Sequence, residues 1–121
     1  VVSEHETEIV EAGVYTWFVE EDRLFGDTLI AALFGLDAED TIAGLPLSDY
    51  LSRIHPDDRD KTKRLITQAI LDGQPYHAEY RVLNVLDQAI QVIALGRCFR
   101  NPDGTPFIYS GIIYPIDQLD G

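Results

Sequence analysis

The last third of the chain constrains the fold most. In 76-YHAEYRVLN-84, Tyr76, Ala78, Tyr80 and Val82 alternate with His77, Glu79 and Arg81, the period-two pattern of a strand with one buried face. The run 89-AIQVIALGRCF-99 is apolar nearly throughout and suits a central, well-covered strand. Prolines and a glycine break the chain at 101-NPDGTP-106. A third strand signal, 107-FIYSGIIYPI-116, follows, with Pro115 expected near its end or at a sheet edge. Three consecutive antiparallel strands bury one face, and that face needs a cover.

The middle of the chain supplies it. Asp27 is placed to cap a helix over 28-TLIAALFGL-36, where Leu29, Ile30, Leu33 and Phe34 recur at helical spacing and Gly35 is a terminator. The segment 37-DAEDTIAG-44 reads as a loop. Pro46 suits a first helical turn, and Leu47, Tyr50, Leu51 and Ile54 share one face of a helix that Pro56 ends. A longer helix runs from Pro56 to about Asp72, apolar at Leu65, Ile66, Ala69 and Ile70, with Gly73 as its C-cap. Before these, 14-VYTWFVE-20 and 23-RLFG-26 read as two strands joined by an acidic turn. The order is two strands, several helices, three strands. It predicts an α+β domain with a five-stranded antiparallel sheet and helices packed on one face.

Composition narrows the function classes. The chain has 121 residues, 45% of them hydrophobic, which suits one globular domain with a real core. The formal net charge is −12, and such a surface repels phosphate backbones and anionic lipid. Neither nucleic acid nor membrane is therefore expected as a partner. The basic residues Arg59, Lys61, Lys63 and Arg64 would spread around several faces of a helix and read as solvated surface. No apolar run approaches the roughly 18 residues of a membrane span, and the acidic VVSEHETE start is no secretory signal. With no methionine present, the sequence reads as a piece of a longer protein. A single cysteine, Cys98, excludes an internal disulfide and any multi-thiolate metal site. A cytoplasmic location is expected.

Several short motifs recur in one order: 13-GVYTW-17, 23-RLFGD-27, 33-LFGL-36, 54-IHPDDR-59, 79-EYRV-82, 96-GR-97, 103-DGTP-106 and 111-GII-113. Together they resemble the PAS domain, in the variety with an IHPDDR segment, over about residues 13 to 116. The resemblance implies the same sheet and helices with a small cavity between them. It implies a sensory or dimerising input module of a larger signalling protein, such as a histidine kinase of a two-component system or a transcription regulator. Residues 1–12 would then be a lead-in or short helix, 13–117 the sensory domain, and 118–121 the start of a linker to an output domain. Two departures stand out. The family commonly ends its last strand with Asp-Ile-Thr, where this chain has Pro115-Ile116-Asp117, and a proline removes a donor and fixes φ. The hairpin that is usually Asp-Gly is Asp87-Gln88 here, without the tryptophan that often follows.

The chemistry-bearing residues argue for no cofactor. Flavin-binding relatives that respond to light carry a helical Asn-Cys-Arg-Phe-Leu-Gln motif, whereas Cys98 sits in the strand-like 97-RCFR-100. Haem-binding relatives use a helical histidine facing the cavity. His55 stands at a helix boundary, His5 in the N-terminal lead-in, and His77 out of phase with the buried face of its strand. A metal at His55, Asp57 and Asp58 would need side chains that diverge by about 100° per residue on a helix. Pro56 in the first helical turn, with Asp57 and Asp58 favoured there by the macrodipole, makes the segment a helix start. Without a nucleophile–base pair or phosphate loop, no enzyme activity is expected of this domain.

What remains is the cavity that the resemblance implies. Its candidate lining is Trp17, Phe34, Leu51, Leu65, Ile66, Ala69, Tyr80, Val82, Ile93, Leu95, Tyr109 and Ile113. These residues either fill the core or enclose a small, mostly apolar ligand, with Tyr80, Tyr109 or the Trp17 indole making the polar contacts. A second reading is ligand-free homodimerisation through Ile9, Val10 and the outer sheet face.

Overall fold

The computed structural model describes residues 11–116. The elements in chain order are β1 (Gly13–Phe18), β2 (Arg23–Gly26), α1 (Thr28–Phe34), α2 (Ala38–Ala43), α3 (Leu47–Leu51), α4 (Pro56–Asp72), β3 (Tyr76–Leu83), β4 (Ala89–Arg100) and β5 (Pro106–Pro115). The strands form one antiparallel sheet in the order β2-β1-β5-β4-β3. The α+β class and five-stranded sheet are as the sequence predicts. Most of the lead-in, including His5, Ile9 and Val10, and everything from Asp117 onward lie outside the described residues.

Local chemistry sets the helix boundaries. The Asp27 side chain accepts from Ile30 N–H at the start of α1, and Gly35 ends it in the left-handed region. The segment read as a loop holds one more short helix, α2, capped by Asp37 accepting from Asp40 N–H. Its only buried residue is Thr41, so it has no apolar stripe for periodicity to detect. α3 is shorter than predicted, ending at Leu51. It has no cap of its own; Asp22, in the β1–β2 turn, accepts from Leu47 N–H instead.

The IHPDDR segment is a helix start. His55 is the N-cap of α4, its Nδ1 accepting from Asp57 N–H at 3.1 Å, with Pro56 in the first turn. Asp58 does more than favour the macrodipole. Its carboxylate accepts three bonds from Arg81 on β3, from the backbone N–H, Nε and Nη2, each at 2.9 Å. This fork ties the helix start to the EYRV strand and holds the Asp58 carboxyl down at about 2.

Both sheet edges are partly covered. Leu24 and Leu45 exchange backbone bonds beside β2. Beside β3, His55 N–H donates to Arg81 O and Leu83 N–H donates to Arg53 O. The edge groups of Leu24, Arg81 and Leu83 are thereby satisfied within the domain. Arg53 reinforces that side by donating to the carbonyls of Phe34, Leu83 and Asn84 and pairing with Asp87.

The Asp58 fork makes a signed prediction. A carboxylate whose folded pKa is depressed contributes stability above its unfolded pKa and loses it as pH falls through the folded value. Asp58→Asn should cost about 1 kcal/mol at pH 7, after discounting for solvent screening. The difference from the parent should vanish between pH 4 and 2, as urea melts across that range would show.

Candidate functional site

The inner sheet face and the helices line a cavity of about 60 Å³. Its floor is Tyr15 and Trp17 from β1, Leu24 from β2, Tyr76 and Tyr80 from β3, Ala94 from β4, and Tyr109 and Ile113 from β5. The roof is Ile30 and Phe34 from α1, Leu47, Tyr50 and Leu51 from α3, Ile54, and Thr62, Ile66 and Ala69 from α4. Thr62, Ile66 and Ala69 continue the stripe that Asp58 begins, at spacings of four, four and three residues, so the Arg81 fork also aims the roof.

Of the expected lining, Trp17, Phe34, Leu51, Ile66, Ala69, Tyr80, Tyr109 and Ile113 come together around the cavity. Leu65 lies beside it, half-buried against the core. Val82 is fully buried on the inner face near the end of β3, bridged to Ile54, and is not among the lining residues. Ile93 and Leu95 are a correction. The inward residues of β4 are Val92, Ala94 and Gly96, and Ile93 and Leu95 point to the opposite face. A run apolar at both parities hides its phase, yet Gln91 and Arg97 share the parity of Ile93 and Leu95 and mark it as outward.

The aromatic walls are tethered. Tyr15 crosses β5 and donates to Leu95 O on β4 at 3.1 Å. Gly111 and Gly96, paired across β5 and β4, leave room for it: a Cβ on Gly96 would stand 2.2 Å from the Tyr15 hydroxyl. Tyr50 donates to Leu24 O at 2.9 Å. The Trp17 indole N–H is spent on Asp22 at 3.0 Å, so it is no ligand contact. Tyr109 reaches Gln74 O only at 3.5 Å. Burial raises the phenol pKa of Tyr15, Tyr76 and Tyr80, and pushes Tyr50 and Tyr109 to about 12. All five are neutral donors at physiological pH.

The other candidates lie elsewhere. His55 is the N-cap of α4, and His77 is exposed on the outer side of β3. Cys98 faces inward on β4 opposite Tyr109, outside the cavity lining. Among the described residues, no three His, Cys, Asp or Glu side chains converge as a metal site, and no helix is long and apolar enough to cross a membrane.

Gly96→Ala should cost about 1–3 kcal/mol by forcing Tyr15 aside. In a Tyr15→Phe background the same change should cost less than half as much, because the clashing hydroxyl is gone. Denaturant melts of the four proteins in that cycle test the contact.

The fold recurs among solved proteins. The N-terminal domain of a diguanylate cyclase with PAS/PAC sensor from Marinobacter aquaeolei superposes with a TM-score of 0.81 at 17% identity, covering 92% of this chain and 100% of that one. A sensory box histidine kinase/response regulator from Burkholderia thailandensis gives 0.74 at 20% identity, covering 87% and 76%. A tryptophan-to-alanine variant of the Cycle PAS-B domain from Drosophila melanogaster, with bound glycerol, gives 0.68 at 14%, covering 86% and 99%. A sequence comparison with curated proteins returned no match. The family model described as "PAS fold" matches residues 23–113. The Asp58–Arg81 fork and the covered, cavity-bearing sheet thus belong to a member of the PAS fold family.

Proposed function

We propose that this domain is a cytoplasmic sensory input module, not itself an enzyme, that regulates an attached output domain by occupancy of its cavity. The observation that carries the reading is an apolar space between sheet and helices, part of whose wall is aromatic side chains tethered by hydrogen bonds. An engineered cavity of about 150 Å³ takes benzene. On that scale a space of 60 Å³ suits a guest of about two to four non-hydrogen atoms. The bound glycerol in the Cycle variant supports a small polar organic guest by analogy. No haem or flavin is assigned.

A bound ligand stabilises the folded state by mass action, by about 2.7 kcal/mol at a hundred times its Kd. Native mass spectrometry of fresh protein and thermal melts across a panel of small neutral molecules should find a bound species and a rise in Tm. Neither in any condition would remove the ligand reading.

One observation favours a second reading, a homodimer. Among the described residues, the helices leave the outer sheet face uncovered, with Val14 at 52% and Phe99 at 55% exposure beside half-buried Ile93, Leu95, Ile108 and Ile112. Pairing of this face between two copies would bury it. Sedimentation at tens of micromolar should then show a dimer that Leu95→Glu converts to monomer. A parent protein that sediments as a monomer removes this reading.

A further inference from the structure

The polar atoms around the cavity are not equally occupied. Tyr15 and Tyr50 donate to backbone carbonyls, Trp17 donates to Asp22, and Thr62 donates to Asp58 O at 2.8 Å. The hydroxyls of Tyr76 and Tyr80 have no hydrogen-bond acceptor among the described residues, and Tyr80, at 5% exposure, is the more deeply buried of the two. No Asp, Glu, Lys, Arg or His side chain lines the space, so an ionised guest would lose its hydration with no countercharge. Burial keeps the Tyr80 phenol protonated. Its hydrogen is available, and the lining it belongs to is mainly apolar.

We propose that the cavity selects a small neutral molecule bearing a hydrogen-bond-accepting oxygen, such as a short ketone, and that Tyr80 donates its hydroxyl hydrogen to that oxygen. This rests on the cavity being a ligand site and specifies the chemistry of its guest. Tyr80→Phe removes only the unpartnered hydroxyl, so the fold should be retained.

The test uses three guests of nearly the same shape: acetone, isobutene and acetate. Titrations follow the methyl resonances of Ala94 and Ile113, which line the space. In the parent protein acetone and isobutene should give saturable shifts and acetate none. Tyr80→Phe should weaken acetone about fivefold, the worth of one hydrogen bond, and change isobutene less than twofold. The Tyr80 ring resonances of the parent should also move with acetone, a readout that needs no variant. Equal effects of the substitution on both guests, or no Tyr80 shift with acetone, would overturn the donor assignment while leaving the cavity as a site. Acetate binding as tightly as acetone would overturn the selection for neutral guests. No saturable shift with acetone or isobutene would overturn the ligand reading, and this inference with it.

Discussion

The carboxylate of Asp58, held by the backbone and guanidinium of Arg81, fixes how the helix layer sits on the sheet. A planar guanidinium meeting both carboxylate oxygens admits one orientation, which a single point charge would not impose. Because Asp58 stands in the first turn of α4, its docking also sets the rotation of the whole helix. Thr62, Ile66 and Ala69 then fall on the cavity side, and Lys61, Lys63 and Arg64 fall away from it. At the far end of α4, Arg100 donates to Ile70 O, where helix carbonyls lack partners and a cation is favoured. The roof is thus secured at both ends by arginines that belong to the sheet.

Much of this arrangement is legible in the sequence, for identifiable reasons. Asp27, Gly35, Pro56 and Gly73 mark helix ends because each residue type answers a particular need of an unpaired backbone. Strand β3 shows its buried face because polar residues alternate with apolar ones. β4 hides its face because both parities are apolar. The link between Asp58 and Arg81 escapes helix geometry alone, which says that Asp57 and Asp58 diverge but not which one meets the sheet. The signal lies in the phase: Asp58 is in register with Thr62, Ile66 and Ala69, and Asp57 is not. Tyr15, Tyr50 and Tyr76 are missing from the expected lining for a related reason. Their strand or helix phase places them inward, but only the pairing of Gly96 with Gly111 shows how far the Tyr15 ring extends across the sheet.

The cavity itself needs an explanation, since protein interiors pack closely. At roughly 24 cal/mol per Å³, an empty space of 60 Å³ costs about 1–2 kcal/mol. Aliphatic walls could shift inward and recover part of that. Here seven of the seventeen lining residues are aromatic, and three of these are anchored by their polar atoms: Tyr15 to Leu95 O, Tyr50 to Leu24 O, and Trp17 to Asp22. Moving any of these rings inward would break a partly buried hydrogen bond, which costs as much as the collapse would gain. Ala69 and Ala94 are too small to fill the gap from opposite sides. The void therefore persists because polar tethers resist its closure. Tyr76 and Tyr80 line the same space without a protein acceptor among the described residues, and Tyr80 is the more deeply buried of the two.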